Sequence, residues 1–429
     1  MADARPFRGL RYTARVDLAD VIAPPYDVIS ERQQRELYDR SPHNVVRIEY
    51  GQERAGDSES ESRYTRAAGD LQTWVRDGVL AIDGEPAMYA YTQSFTSGGR
   101  PYERNTWFVA LRLEEWERGI VKPHEHTLSN PKADRLKLLR ATRTQISPVY
   151  CVVRGETPLP LAPLDAEPVA DFAVDDQHHV LRRVTDATAI AGVTSVLKDA
   201  GVYIADGHHR YETALAYRAE VRDGAASWTG EEPENFILVG LTDVADPGLV
   251  VLPTHRMIYP PSWPENAIER LGWHFEIEDL GHADVSYAAG LLKSSSRDAT
   301  TFVAVGLAPG ALHMLTLKDR PAVEHLMPAG KPAAWKKLDV NVLQYGVLLD
   351  VFGIDEPMLT AGGHVMYTQD AAEASAAVRA GKAQGAFLLN ATPVRHVLAV
   401  ADAGARMPQK STYFYPKLPT GLVMRSLDG

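Results

Sequence analysis

The spacing of apolar and polar residues in the first hundred positions predicts two helices and a hairpin. The run ERQQRELYDR follows Ser30, a good helix N-cap residue, and predicts a short helix. The stretch ESRYTRAAGDLQTWVRDGVL places Leu71, Trp74 and Val75 on one face and predicts an amphipathic helix. NVVRIEY alternates and predicts a strand, whereas AMYAYTQSF, TSGGRP and RNTWFVALRLEEW predict two strands joined by a turn.

The pattern of the middle of the chain differs from that of its last third. VYIAD predicts a strand that leads directly into a helix, HHRYETALAYRAEV, and ENFILVGLTDV and LVVLPTHRMIY predict two more buried strands. Beyond Pro260, helical and strand patterns alternate, which indicates a further α/β layer. We therefore expect an α+β protein with an N-terminal α+β domain at residues 1–260 and a C-terminal α/β domain at residues 261–429.

Composition and charge exclude several classes of protein. With 429 residues, 45% of them hydrophobic, the chain is long enough for two or three cores. Its formal net charge of -11 argues against a general nucleic-acid or membrane-surface binder. A single cysteine, Cys151, fits a reducing compartment, and because the first residues include no apolar stretch and no long apolar run follows, we expect neither export nor a membrane span. We expect a cytoplasmic protein with no nucleic-acid or membrane partner.

The stretch YIADGHHRYETA concentrates an acid, a glycine, two histidines and an arginine at the end of a predicted strand. A strand that turns into a helix here directs free backbone N–H groups and the positive end of the helix dipole at one place, to which phosphate is attracted. Gly207 allows close approach of a ligand, His208, His209 and Arg210 can donate hydrogen bonds, and Asp206 can hold a metal ion or accept a proton. The alternative is that Asp206 is only an N-cap and the histidines are ordinary polar residues.

This stretch resembles the signature of a widespread bacterial and archaeal family of long-uncharacterised proteins, domain-of-unknown-function family 1015. The blocks APPYDVIS, HEHTLSNPKADRLKLL, LPTHR, LDVNVL and MPQKSTYFYPKLPTGLV resemble further blocks of that family in the same order, so the resemblance covers nearly the whole chain.

Within that family, the D-G-H-H-R turn resembles the phosphate-binding turn of the ParB and sulfiredoxin superfamily. This resemblance implies a ParB/sulfiredoxin-like core in the N-terminal domain. It also implies a relationship to kinases that phosphorylate free L-serine, for which this family has been linked to pyrophosphate as donor. Only Asp206 to Arg210 match the serine-kinase pattern residue by residue, and the catalytic glutamate of those enzymes has no assigned position in this chain.

The loop KPHEHTLSNPKADR is the second concentration of functional residue types. His124 and His126 are two apart and would lie on one side of an extended segment, as two metal ligands would, with Glu125 on the other side. Zinc needs a third ligand, so we also consider a phosphate-binding loop in which Lys132 and Arg135 supply charge. Thr127 or Ser129 would then supply hydroxyl donors. A solvated loop is the remaining alternative.

Three shorter segments complete the candidate site. PQKSTYFYPK places Lys410 beside Ser411 and Thr412, as phosphate sites do, but lacks the glycines of a P-loop. We expect the C-terminal domain to contribute this KST segment to the site. LPTHR places His255 and Arg256 near a strand end, and PPYD offers Asp27 as a second carboxylate on a rigid turn.

These observations lead to the hypothesis of a kinase that transfers a phosphoryl group from pyrophosphate or a nucleotide to the hydroxyl group of free L-serine or a similar amino acid. Mg²⁺ is the expected cofactor, with Asp206 as its ligand or as general base. Glu125 and Asp27 are further catalytic candidates, Gly207–Arg210, Lys132, Arg135 and Lys410–Thr412 the phosphate-binding candidates, and His124, His126, His255 and Arg256 the substrate-binding candidates. The alternatives are a ParB-like nucleotide-binding regulator and a metal-dependent hydrolase. The sequence does not reveal the oligomeric state.

Overall fold

The computed structural model describes residues 1–127, 129–163, 165–295 and 299–428, with only the backbone described at residues 129 and 130. The chain forms two compact units. The first unit comprises Met1–Pro123, Thr127–Val250 and Pro416–Gly429, and the second comprises His124–His126 and Val251–Tyr415. This division lies ten residues before the expected boundary at residue 260. It also returns residues 416–429 to the first unit, because strand Met424–Ser426 pairs with strands near residues 10 and 145.

Helices and strands are numbered in chain order. The helices of the first unit are α1 Leu18–Val21, α2 Glu31–Arg40, α3 Val46–Glu49, α4 Arg63–Arg76, α5 Ser129–Thr142, α6 Ala187–Asp199 and α7 His208–Gly224. Its strands are β1 Ala4–Arg5, β2 Gly9–Tyr12, β3 Leu80–Ile82, β4 Met88–Ser97, β5 Arg100–Arg112, β6 Val121–Lys122, β7 Thr144–Gln145, β8 Val149–Arg154, β9 Pro168–Val174, β10 Gln177–Val184, β11 Gly201–Asp206, β12 Phe236–Asp243 and β21 Met424–Ser426. The combination of helices with mixed sheets makes the fold class α+β, as the sequence predicted.

The main sheet of the first unit has the order β6-β11-β8-β12-β5-β4-β10-β9, with β1 also paired to β5. Strand β11 is parallel to β6 and antiparallel to β8, and β8 is parallel to β12. One face of this sheet packs on α6 and α7 through residues such as Cys151, Ile204 and Tyr211, all fully buried. A smaller sheet, β3-β2-β21-β7, belongs to a second core that α2 and α4 help to form.

The predicted local elements of the first unit are present, with one exception. Ser30 caps α2 with its side chain, and Gly98 and Gly99, both with positive φ, form the two-residue turn between β4 and β5. The predicted strand NVVRIEY is wrong, because Val46–Glu49 is helical. Asn44 accepts a hydrogen bond from the Val46 N–H at 3.0 Å and starts this turn. Val46, Ile48 and Glu49 are all buried. The alternation of apolar and polar residues in this segment therefore does not correspond to one buried and one exposed face of a strand.

Strand β13 Val250–Leu252 begins at the last residue before the second unit, which also contains β14 His255–Ile258, β15 Phe275–Gly281, β16 Thr301–Val305, β17 Leu312–Leu317, β18 Val365–Thr368, β19 Gly385–Leu388 and β20 Tyr413–Tyr415. Its helices are α8 Ala267–His274, α9 Val285–Ser295, α10 Arg320–Leu326, α11 Ala333–Lys336, α12 Asp339–Leu343, α13 Glu356–Ala361, α14 Ala371–Arg379 and α15 Val394–Asp402, and a π-helical turn spans Gln344–Leu349. Its largest sheet has the order β15-β17-β16-β19-β14-β18. Within the described part of the chain, no helix is both long and apolar enough to cross a lipid bilayer.

Candidate functional site

The turn between β11 and α7 has the geometry that the sequence predicted. Strand β11 ends at Asp206, Gly207 adopts φ 89°, and α7 begins at His208 and continues for 17 residues. Gly207 is required for two reasons, because its φ is left-handed and because a Cβ atom there would lie 2.8 Å from the Arg210 Nε. Gly207 has no side chain with which to cap α7, so it leaves the helix N-terminus without the usual N-cap interaction.

The Asp206 carboxylate binds two cations. Arg210 Nη2 donates to its Oδ2 at 2.7 Å, and Lys417 Nζ donates to its Oδ1 at 2.5 Å. All three side chains are largely buried, with 13% of Asp206, 10% of Arg210 and 11% of Lys417 exposed. Charge-assisted hydrogen bonds in such surroundings are stronger than neutral ones, so the carboxylate fixes the two cations side by side.

Arg210 is also held from its other side. Its Nη1 donates to the Pro148 carbonyl at 2.5 Å, and its buried Nε has no hydrogen-bond partner among the described residues. A cavity of about 60 Å³ lies beside it. The polar residues that line this cavity are Glu49, Arg135, Thr144, Gln145, Ser147, Arg210 and Thr213. The volume is enough for ordered water, which polar groups around a cavity usually bind.

A chain of buried hydroxyl groups leads from this cavity to the C-terminal segment. Ser147 Oγ donates to Glu49 Oε1 at 2.8 Å and lies 2.8 Å from Thr420 Oγ1. Thr420 also exchanges backbone hydrogen bonds with Ala23, which precedes the PPYD turn. Segments that lie far apart in the sequence therefore meet at Ser147.

Arg135, expected to bind phosphate, is buried and paired with carboxylates. Its guanidinium contacts Asp134 at 2.6 Å and Glu49 at 3.3 Å, and it stacks on the Tyr26 ring at 4.0 Å. Burial alone would lower the pKa of Arg135, but the charges of Glu49 and Asp134 outweigh it and raise the pKa. Only 6% of the side chain is exposed, so the Arg135 guanidinium is enclosed by its partners.

Lys132 and Asp27 both belong to the first unit. Lys132 Nζ contacts Glu212 at 3.0 Å, and Thr127 Oγ1 donates to the same carboxylate at 2.6 Å. Glu212 belongs to the first turns of α7, four residues after His208. Asp27 is exposed in a 3₁₀ turn, Tyr26–Val28, and its charge adds to burial in raising the pKa of Tyr26. The side chain of Ser129, the alternative hydroxyl donor, lies outside the described residues.

In the second unit, His124 and Arg256 each contact the KST segment. The fully buried His124 ring places Nε2 3.0 Å from Thr412 Oγ1, and Arg256 Nη2 donates to the Lys410 carbonyl at 3.3 Å. Lys410 is exposed and has φ 55°, a left-handed conformation that is uncommon for a lysine. Ser411 is buried, and its Oγ donates to the Pro408 carbonyl at 2.6 Å.

His255 is the first residue of β14 and is 4% exposed. Its Nδ1 accepts a hydrogen bond from the Leu389 N–H at 3.1 Å. Burial, helped by the charge of Arg256, lowers the pKa of His255 to about 4. The neutral ring is therefore the form that this packing stabilises.

His124 and His126, the two histidines considered as metal ligands, differ in their exposure. His124 is fully buried, whereas His126 is exposed, so the two rings have different surroundings. Across residues 1–127, 129–163, 165–295 and 299–428, no three His, Cys, Asp or Glu side chains are grouped as metal ligands are.

Lys417 and Glu212 contact candidate site residues, but no sequence pattern identifies either of them as one. Both lie within motifs that contain candidate residues. Lys417 stands between Pro416 and Leu418 in an aromatic, proline-rich segment, and Glu212 follows the D-G-H-H-R turn. Their contacts are with residues distant in the chain, such as Asp206 and Thr127. The only sequence feature that could indicate them is that each of these two motifs contains more than one charged residue.

Comparison with protein families gives one match over most of the chain. The model of a family described as "Protein of unknown function (DUF1015)" matches residues 4–341. No protein with a curated description matches the sequence.

Several solved structures are distantly similar. A free serine kinase in complex with AMP is 14% identical, with a TM-score of 0.35, over 71% of this chain and 85% of that chain. A conserved hypothetical protein from Pyrococcus furiosus is 16% identical, with a TM-score of 0.34, over 75% and 95% of the two chains. SbnI with a C-terminal truncation, from Staphylococcus aureus, is 9% identical, with a TM-score of 0.32, over 72% and 84%. Likenesses this distant do not identify an activity, which has to follow from the side chains of this chain.

Proposed function

The chain belongs to the family of proteins of unknown function DUF1015, and we propose that it is a phosphotransferase that phosphorylates the hydroxyl group of a small molecule. The proposed acceptor is free L-serine or a similar amino acid, and the proposed donor is pyrophosphate or a nucleotide. The observation that carries the proposal is the Asp206 carboxylate, bound by Arg210 and Lys417 directly before the N-terminus of α7.

The donor phosphates would bind at the N-terminus of α7. The first-turn N–H groups of a 17-residue helix attract anions, and Gly207 leaves room for close approach to the backbone. Arg210 and Lys417, both paired with Asp206 directly before this helix, would neutralise the charge that develops on the transferred group. His208 and His209 occupy the first turn of the helix and would add donors. The resemblance of D-G-H-H-R to the phosphate-binding turn of the ParB and sulfiredoxin superfamily supports the same placement, and a core of that type stays part of the proposal.

The acceptor hydroxyl group would approach Asp206. A carboxylate has about four lone-pair positions, and the hydrogen bonds from Arg210 and Lys417 use one on each oxygen. The hydroxyl oxygen would attack the donor phosphorus, the bond from phosphorus to the donor's bridging oxygen would break, and that oxygen would keep the electron pair. The hydroxyl proton would pass to Asp206, which is a step of general base catalysis.

The remaining candidates have narrower proposed roles. Lys132 is half-exposed and could turn from Glu212 to a phosphate, whereas Arg135 is buried between carboxylates and serves to support the site. In the second unit, Lys410–Thr412 with His124 and Arg256 form a second polar cluster, for which we propose binding of an anionic substrate group. His126 and Lys410 have exposed side chains there, and His255 supports the strand. Glu125 and Asp27 remain candidate catalytic carboxylates.

The described residues do not fit a resident Mg²⁺ ion at Asp206. Both carboxylate oxygens already bind cationic groups, which would repel a divalent cation at the same atoms. Magnesium in phosphoryl-transfer sites often arrives with the donor phosphates and few protein ligands. The proposed step therefore uses Asp206, Arg210 and Lys417. The assay described next measures product formation with and without Mg²⁺.

The proposal is tested by offering donors and acceptors separately. Purified protein is incubated with L-serine and with pyrophosphate, ATP, ADP or CTP, with and without Mg²⁺, and phosphomonoester formation is followed by phosphorus NMR. We expect one donor to give phosphoserine at a rate that depends on serine concentration. Slow donor hydrolysis that ignores every hydroxyl acceptor would instead support the nucleotide-binding regulator, and no binding of any donor would contradict both.

A further inference from the structure

The proposed site contains two buried hydroxyl groups that are hydrogen-bonded in series. The carboxylate at the end of the series determines which group donates each hydrogen bond. An ionised carboxylate only accepts hydrogen bonds, and each hydroxyl group has one proton to donate. Ser147 Oγ therefore donates to Glu49 Oε1, at 2.8 Å. Since its proton is used there, Ser147 accepts from Thr420 Oγ1, also at 2.8 Å. The chain runs from Thr420 through Ser147 to Glu49.

Thr420 is fixed by its backbone as well as by its hydroxyl group. Its N–H donates to the Ala23 carbonyl at 2.8 Å, and its carbonyl accepts from the Ala23 N–H at 3.3 Å. The next residue, Gly421, has φ 87°, and a Cβ atom there would lie 2.9 Å from the Val45 Cβ. Thr420 is fully buried. The end of the Lys417–Gly421 segment is thus held at one place on the first unit.

Lys417 lies three residues before Thr420, and its Nζ reaches Asp206. On the other side, the residue after Ser147 is Pro148, whose carbonyl accepts from Arg210 Nη1. The dipeptide Ser147–Pro148 therefore contacts the segment that carries Lys417 and also contacts Arg210 itself. This dipeptide, just before β8, is thus linked to Arg210 directly and to the Lys417 segment through Thr420.

We propose that Ser147, anchored by Glu49, is a positioning residue that holds Lys417 at Asp206 through Thr420. The functional importance of this role rests on the proposed function, because Lys417 and Arg210 are the groups proposed to bind the transferred phosphoryl group. Loss of the Thr420 hydroxyl group would leave only the backbone hydrogen bonds with Ala23 to hold the segment, so Lys417 would leave Asp206 more often, while α7 and Arg210 keep their places.

The test measures the accessibility of Lys417 without any turnover. Native protein is treated with a limiting amount of the N-hydroxysuccinimide ester of acetic acid, and acetylation of Lys417 relative to the exposed Lys198 on α6 is measured by peptide mass spectrometry. In the wild type we expect slow acetylation, because the Lys417 side chain is 11% exposed and paired with Asp206.

Four variants decide the role of the hydroxyl chain. Thr420→Val and Ser147→Ala should raise the relative acetylation of Lys417 about tenfold, the scale of one lost buried hydrogen bond. Thr420→Ser keeps a hydroxyl group and should restore the wild-type value. Thr142→Val removes another buried threonine hydroxyl group, bonded to the Leu138 carbonyl at 2.9 Å, and should leave Lys417 unchanged. Wild-type acetylation of Lys417 in both Thr420→Val and Ser147→Ala, or failure of Thr420→Ser to restore protection, would overturn the proposal.

The labelling experiment separates this proposal from the proposed function. If no donor is used by the wild type but Thr420→Val exposes Lys417, the phosphotransferase assignment fails and the positioning role stands. If phosphotransfer occurs and both Thr420→Val and Ser147→Ala leave Lys417 protected, the positioning role fails alone. If Thr420→Val does not fold by circular dichroism, Ser147→Ala decides the same point.

Discussion

Lys417 Nζ donates a hydrogen bond to Asp206 Oδ1 at 2.5 Å across 211 positions of the sequence. The other oxygen of the same carboxylate accepts from Arg210, only four positions away. One cation of the site is thus supplied by the helix next to Asp206, and the other by a segment that returns to the first unit after the whole of the second.

Lys417→Met should lower the rate of phosphotransfer by roughly 10- to 100-fold, because a hydrogen bond to a charged group contributes about 1.5–3 kcal/mol. The rate is measured as initial phosphomonoester formation at saturating donor. Lys198→Met is the matched control, since Lys198 is exposed on α6 and lies outside the proposed site. Equal rates for both variants would remove Lys417 from the proposed mechanism.

Gly207→Ala should destabilise the protein, whereas Gly224→Ala at the last position of the same helix should not. Gly207 has φ 89° and a Cβ atom there would meet Arg210, while a Cβ atom at Gly224 would meet nothing within 4 Å. We expect Gly207→Ala to lower the free energy of unfolding by about 1–3 kcal/mol and Gly224→Ala to leave it equal or raise it by up to about 1 kcal/mol. Urea unfolding of the two variants beside the wild type measures the difference, and equal stability would show that the turn tolerates a side chain.

Arg135→Met should cost far more stability than Arg140→Met on the same helix, α5. Removal of Arg135 leaves the buried Glu49 carboxylate without its cation, which costs about 3–5 kcal/mol, whereas Asp134 keeps its ion pair with Arg63. Arg140 pairs with Glu220 in an exposed ion pair, for which about 0–1 kcal/mol is expected. The two free energies of unfolding in urea give the comparison, and a small effect at Arg135 would mean that water compensates its partners.

His255 should make the protein less stable in acid. Its pKa is lowered to about 4 in the fold from the ordinary 6.5, so the unfolded chain binds one more proton between these values. The stabilising effect of the neutral ring is complete above pH 6.5 and decreases by about 1.4 kcal/mol for each pH unit as the pH falls towards 4.

The variant His255→Gln tests this pH dependence, because its amide oxygen can still accept from the Leu389 N–H. Its free energy of unfolding should fall less steeply between pH 6.5 and 4 than that of the wild type. His282→Gln, at an exposed position, should keep the wild-type slope. Parallel curves for wild type and His255→Gln would show that the ring is not buried in its neutral form.

The strand, turn and helix from Gly201 to Gly224 could be predicted because their determinants are local. An apolar run, a glycine and a long helical pattern follow one another without a break, and the turn chemistry belongs to adjacent residues. The same is true of α2, which Ser30 caps, and of the hairpin turn at Gly98 and Gly99.

The pairing of Asp206 with Lys417 could not be predicted in this way, since it depends on how the chain returns after the second unit. The burial of Arg135 could not be predicted either, because a basic residue near the start of a helix after a polar loop is usually exposed. Here its guanidinium packs on the Tyr26 ring. The short helix α3 was mistaken for a strand since its residues are buried almost all around, which removes the periodicity that distinguishes the two.

The most direct measurement compares phosphomonoester formation by the wild type, Asp206→Asn and Asp223→Asn with the same donor and with increasing L-serine. Asp223 is an exposed carboxylate near the end of α7, so its variant controls for loss of one negative charge from that helix. The account predicts serine-dependent product for the wild type and Asp223→Asn, and a rate at least about 100-fold lower for Asp206→Asn. Undiminished transfer by Asp206→Asn would contradict the assignment of this carboxylate as the centre of the site.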